Sequence, residues 1–218
     1  MPSPDWEIVL PKERLQDLRV SSDLALLLTL CRAANAISLA RAPLTRPWSW
    51  QSPLALRERF SALFYAGGVL TEALQVAHRL SGAFATLQVD KSGFARLLAD
   101  PRLNAFRTSK LKKLRHKATF HFDRKFFADG LKALPDDDHV VAILRSARVR
   151  DVYYTLPDDI AFQEVMGRAG SLEEMASRFE EFGLTTVEIM NRFLQETHTF
   201  VPRALRSLGC RRRRRVVA

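Results

Sequence analysis

The sequence predicts an all-α fold, an up-and-down helical bundle with one small β-hairpin insertion. Three observations point there. Apolar residues recur at steps of three and four over long stretches, the spacing that lines one face of a helix. Leu24, Leu27, Leu28, Cys31 and Ala34 form one such stripe, and Phe60, Leu63, Phe64, Gly67, Leu70, Leu74 and Ala77 another. Helix-starting signals recur at Ser21-Ser22-Asp23, Ser171-Leu172-Glu173-Glu174 and Thr185-Thr186-Val187-Glu188, the last two in the form of capping boxes. Runs rich in β-branched and aromatic residues are confined to His139–Leu144 and Val149–Leu156, enough for one hairpin.

The elements follow in order. Residues 1–20 are a polar N-terminal extension punctuated by Pro2, Pro4 and Pro11. The first long helix starts at the Ser21–Asp23 cap and ends near Arg41, ahead of Pro43. Arg32 and Asn35 lie within it, either beside a functional cleft or on an exposed surface. Pro43 to Pro53 is a loop with Pro47, Trp48 and Trp50; loop tryptophans form a binding lip or cover a core edge. The second helix runs from Pro53, a favoured first-turn proline, to Leu80. Its Gly67-Gly68 pair costs about 1 kcal/mol per glycine against alanine, and a tight helix–helix crossing accounts for it. No strand precedes the pair and GxGxxG is absent, so it is not a phosphate loop.

A short helix is expected over Gly93–Ala99, with a turn at Asp100-Pro101. Thr108 or Ser109 is expected to cap a helix that runs to about Ala128 and stops at Gly130. Pro135 to Asp138 is a turn; its three aspartates suit an exposed turn better than a cation site, because they lack spaced partners. Pro157-Asp158-Asp159 opens a helix to about Arg168. The Ser171 box starts a helix expected to pause at Gly183, restart at Thr185 and end before Pro202. One helical domain over 21–208, with the hairpin inserted at 139–156 and a basic tail over 209–218, is the resulting organisation.

The chain has 218 residues, 47% of them hydrophobic and 27% charged, values ordinary for a single globular domain with a sizeable core. Cys31 and Cys210 lie far apart with no CxxC or His/Cys spacing, which argues against a disulfide framework or zinc site and fits a reducing cytoplasm. The N-terminus lacks the regions of a signal peptide. The longest apolar run, around Leu24 to Cys31, is too short to span a bilayer, so no membrane partner is expected. No metal or cofactor site is recognisable, and His78, His139 and His198 are isolated.

Net charge is +10 and the isoelectric point about 10.2. Five of the charges sit in the run Arg211 to Arg215. Arg211, Arg212 and Arg213 are candidates for binding a polyanion, the alternative being a solvated tail with no specific role. Lys110, Lys112, Lys113, Arg115 and Lys117 form a second cluster, which draws attention to a phosphate-bearing partner.

That cluster overlaps the most unusual stretch of the chain, Leu114-Arg115-His116-Lys117-Ala118-Thr119-Phe120-His121-Phe122-Asp123. Leu111, Leu114, Ala118 and His121 share one helical stripe, Arg115 leads another with Phe122 and Phe126, and Phe120, Phe127 and Leu131 form a third. A charged arginine in such a helix requires a partner, a ligand or a water-filled cleft. Arg115-His116, five intervening residues after Arg115, then His121 resembles the signature of HEPN domains: an arginine, a polar residue directly after it, and a histidine after four to six intervening residues. The resemblance covers about ten residues and their helical context. It implies an all-α module, and for its ribonucleolytic members a metal-independent endoribonuclease that uses the ribose 2′-hydroxyl as nucleophile, in a toxin or phage-defence setting with a cognate antitoxin or partner protein.

Such chemistry asks for a group titrating near neutrality to move a proton and a permanent cation to stabilise phosphate charge. His121 fits the first role, Arg115 with its forked donors the second, and His116 an orienting or assisting one. Six residues along a helix mean about 9 Å of rise and roughly 120° of misalignment, so one helix does not readily bring both groups to one phosphate. The family's answer, a homodimer with a composite site, is the expected assembly. Two other readings stand beside this one. A silent module would bind RNA or a nucleotide through Arg115 and the lysines. In a purely structural or protein-interaction bundle, His121 would be a core histidine and Arg115 would pair with a neighbouring carboxylate.

Overall fold

A computed structural model describes residues 6–46, 53–80, 89–114, 124–134, 143–144, 152–153, 155–169 and 171–214. Helices account for most of them, and the all-α expectation holds at that level. In chain order they are β1 (Trp6–Val9), α1 (Lys12–Leu18), α2 (Ser22–Arg41), α3 (Pro53–Leu80), α4 (Ser92–Ala99), α5 (Pro101–Phe106), α6 (Arg124–Lys132), β2 (Ile143–Leu144), β3 (Val152–Tyr153), α7 (Thr155–Met166), α8 (Leu172–Ser207) and β4 (Arg211–Arg214). A 3-10 turn, Ala42–Thr45, follows α2, and a π-helical turn, Arg107–Leu111, continues α5.

The core forms where α2 packs along α3 and α8. α2 buries Leu24, Leu27, Leu30, Ala34, Ile37 and Ala40 on one stripe. Phe60 of α3, Phe162 of α7 and Phe179 of α8 meet in an aromatic triangle with ring centroids 4.8 to 6.0 Å apart, a geometry in which ring quadrupoles favour edge and offset contacts. By length and composition, Ser22–Thr45 and Glu58–Leu80 are both apolar enough to cross a membrane, although Arg32 breaks the run in the first. The window within Glu58–Leu80 is 67% buried inside this bundle and that within Ser22–Thr45 33%.

Several boundaries differ from expectation, each for a local reason. α8 neither pauses at Gly183 nor ends before Pro202; it runs unbroken to Ser207. The buried stripe Phe179, Phe182, Thr186, Ile189, Met190, Phe193, Thr197, Phe200 and Ala204 keeps helical register across both residues, and that packing outweighs the local breakers. Thr185 therefore lies inside the helix and does not cap one, and the neighbouring Thr186 hydroxyl donates back to the Phe182 carbonyl at 2.8 Å. Ser171 is a cap as expected, its hydroxyl accepting from the Glu174 amide at 3.1 Å. α6 passes through Gly130, which is buried against α7 with no room for a Cβ beside Ile160. The hairpin is present as β2 paired antiparallel with β3.

The two chain ends form one structure. β1 pairs antiparallel with β4, Glu7 opposite Arg213 and Val9 opposite Arg211. Gly209, at φ 88°, turns the chain out of α8 and into that strand. Arg211 reaches Glu13 at 3.1 Å and Arg213 reaches Glu7 at 2.8 Å. The basic end through Arg214 is therefore a strand paired with the N-terminal segment, with the side chains of Arg211, Arg212 and Arg213 exposed to solvent.

Candidate functional site

Asp100 begins the segment that leads to Arg115. Its carboxylate accepts from the Arg102 amide at 2.8 Å, the N-cap interaction that satisfies an orphan donor of the first turn, and Pro101 occupies the first helical position. Thr108 and Ser109, expected as caps, lie inside the resulting helix. Their hydroxyls donate to the Asn104 and Ala105 carbonyls at 2.8 and 2.7 Å. The backbone then widens into the π-helical turn, in which the Lys112 amide donates to the Arg107 carbonyl. Such turns are rare and occur often beside functional sites.

This turn decides which side chains are buried. Leu111 and Leu114 are fully buried. A Cβ on Gly67 would lie 3.1 and 3.3 Å from the two Leu114 methyls and 3.4 Å from a Leu111 methyl. Gly67 thus allows the close crossing that the glycine pair suggested, and its partner is the segment entering the motif. Lys112 and Lys113 are exposed. Lys110 turns the other way, half-buried, and its Nζ donates to the Met166 carbonyl at 3.0 Å. Burial, followed by the like charges of Lys113 and Arg178, holds the Lys110 ammonium below the usual lysine pKa, with Glu181 opposing.

Two cavities flank this segment and share Thr185. One of about 220 Å³ includes Phe106, Lys110, Arg178 and Phe182 in its wall. The other, about 570 Å³, is bordered by Asp100, Arg102, Glu188 and Arg192. Arg192 and Asp100 form an ion pair across it. That pair, first, and the Arg102 amide next hold the Asp100 carboxyl below the usual aspartate range. Arg107 contacts the His78 imidazole through its guanidinium and Nε2, so His78 is a paired residue.

Arg115, His116, Lys117 and His121 lie outside the described residues, as do Pro47, Trp48, Trp50, the Asp136–Asp138 turn and His139. Among the predicted site residues that are described, Lys112 and Lys113 share one exposed side, Lys110 faces the smaller cavity, and Arg211 and Arg213 sit in the terminal strand pair with Arg212 exposed beside them. The lysine cluster and the arginine strand belong to separate elements. Arg32 and Asn35 are exposed on α2. Arg178 and Arg192 were not apparent from sequence; Arg178 follows Glu174 by four residues, a spacing that reads as an ordinary surface pair. Among the described residues, no group of three or more histidine, cysteine, aspartate or glutamate side chains is placed to hold a metal ion. No protein-family model matches this sequence, and neither a curated protein nor a solved structure matches it.

Proposed function

We propose that this chain is an RNA-binding helical module that cleaves the bound strand without a metal, through Arg115 and His121. One observation supports the binding part above others. The segment ending at Leu114, the residue before Arg115, is anchored by two fully buried leucines and presents Lys112 and Lys113 to solvent. Cations fixed on a packed element grip phosphate with little ordering cost. The cleavage part rests on the resemblance of Arg115-His116…His121 to the HEPN signature.

In this reading, His121 takes the proton of a ribose 2′-hydroxyl as its oxygen bonds to phosphorus. Arg115 stabilises the charge gathering on the non-bridging oxygens. The bond from phosphorus to the 5′-oxygen then breaks, and that oxygen takes a proton from a second acid, supplied by His116 or by the motif of a second copy in a homodimer. The products are a 2′,3′-cyclic phosphate and a 5′-hydroxyl.

RNA cleavage in EDTA by the wild-type protein beside His121→Ala and Arg115→Ala, with oligomeric state measured on the same samples, tests the proposal. EDTA-resistant cutting by a dimer, lost in both variants, is expected. Salt-sensitive binding without cleavage would replace it with the silent binding module. Absence of both, with His121→Ala strongly destabilised, would leave the structural bundle.

A further inference from the structure

The smaller cavity has two basic side chains in its wall, Lys110 and Arg178. It opens between the π-helical turn, the C-terminal end of α7 and the first half of α8. Two cations border it, and both are oriented by one backbone turn. Lys110 Nζ donates to the Met166 carbonyl at 3.0 Å, and Arg178 Nη1 donates to the Arg168 carbonyl at 2.8 Å. Between those carbonyls stands Gly167, at φ 92°. A side chain there would be strained, and its Cβ would come within 2.9 Å of Arg178 Nη1. The glycine therefore both shapes the turn and leaves space for the guanidinium.

Capping of the α7 C-terminus explains why a cation approaches these carbonyls. It does not explain why two like charges border one open cavity. Neither cation is exhausted by its carbonyl, since an ammonium carries three donors and a guanidinium five; Arg178 also meets Glu174. The remaining wall is of two kinds. Phe106 and Phe182, with ring centroids 4.9 Å apart, supply an apolar floor. Glu181 and Thr185 on α8 supply a carboxylate and a hydroxyl. At about 220 Å³ the space is smaller than the roughly 300–1,000 Å³ typical of drug-sized ligands; it takes the phosphate and one ring of a mononucleotide, with the remainder at the opening.

We infer that this cavity binds a phosphate ester of nucleotide size: Lys110 and Arg178 hold the phosphoryl oxygens, the phenylalanines contact the attached ring, and Thr185 meets a hydroxyl. The bound anion meets the donors that Lys110 and Arg178 do not spend on the two carbonyls and on Glu174. The site goes beyond the cleavage reading and needs neither Arg115 nor His121. Its ligand is a free mononucleotide or one nucleotide of a nucleic-acid strand.

Calorimetric titration of the full chain with AMP, and separately with a short oligoribonucleotide, tests the inference. Saturable AMP binding is expected. It should weaken roughly ten- to a hundredfold in Lys110→Met and in Arg178→Gln, as for loss of one hydrogen bond to a charged group. Thr185→Val, which keeps the α8 surface, provides a third variant should either of the others fail to fold, and it too should weaken AMP. AMP displaced competitively by the oligonucleotide identifies a strand as the source of the phosphate; AMP binding that ignores the oligonucleotide identifies the free nucleotide. Absence of saturable AMP binding, or AMP binding unchanged in the folded variants, overturns the site. Loss of RNA cleavage in His121→Ala with AMP affinity retained would separate this site from the catalytic proposal, and an inactive wild type that still binds AMP would refute only the latter.

Discussion

At the carboxyl end, Arg211 and Arg213 stand in a two-stranded ribbon beside Glu13 and Glu7. Around the π-helical turn, Lys110 and Arg178 are oriented by backbone carbonyls over a cavity, while Lys112 and Lys113 face outward from a helix sealed to the core. The ribbon holds the denser positive charge in sequence, yet two of its arginines are already matched by carboxylates, on side chains 75% and 67% exposed. Exposed pairs of that kind are worth roughly 0–1 kcal/mol and exchange readily with water and salt. The lysine segment carries fewer charges on a better-anchored support. The difference teaches that charge density locates a polyanion only loosely, and that what holds each cation in place matters more.

The sharpest way to break this comparison is to remove the anchor. Leu114→Ala empties a fully buried position under the lysine face and should cost about 2–5 kcal/mol, read by chemical denaturation. A loss below 1 kcal/mol would show that the segment is not sealed to the core. Gly67→Val attacks the same crossing from the α3 side. Its side chain has nowhere to go but into Leu114 and Leu111, so an overpacking cost of about 1–3 kcal/mol is expected by the same measurement. An unchanged midpoint would contradict the close approach.

Asp100 makes the stability of this segment depend on pH. The fold depresses this carboxyl, so its contribution is complete above the ordinary aspartate pKa, about 3.9, and is lost as pH falls through the lower folded value. The wild type should lose stability more steeply below about pH 4 than Asp100→Asn does. Parallel acid limbs for the two proteins would show that neither the Arg192 pair nor the helix cap depends on the charge. The smallest effect belongs to the ribbon: Glu7→Gln should change stability by less than about 1 kcal/mol, and a larger loss would mean that the chain ends are fastened more firmly than exposed pairs allow.

Where periodicity was long and uninterrupted, the fold was legible in the residues. The bounds of α2, α3 and α4 and the Ser171 cap fall as expected, because burial along a whole helix face dominates local preference. In α2, however, Leu30 and Ile37 take the buried places expected of Leu28, which is exposed, and of Cys31, which is only partly buried. The misreadings came from residues whose local preference was overridden. Gly183 and Pro202 look like breaks but sit in a helix whose apolar stripe continues past them. Thr108 and Ser109 look like caps, but Asp100 starts the helix eight and nine residues earlier. The terminal ribbon was hidden because its pairing joins residues more than two hundred positions apart, beyond any local pattern. Of the candidate site, Gly67 and the lysines were readable. Arg178 was not, because its role depends on the turn that joins α7 to its own helix.

Single-stranded RNA affinity measured against salt tests the central claim most directly, the claim that the lysine-bearing segment grips the strand. Each phosphate contact contributes roughly 0.7 to the slope of log affinity on log salt for a single strand. Lys112→Gln with Lys113→Gln should therefore flatten the slope by about 1.4, and Arg211→Gln with Arg213→Gln should flatten it by clearly less. Equal slopes for the wild type and the lysine double variant, with the arginine variant losing the salt dependence, would contradict the account and move the RNA to the terminal ribbon.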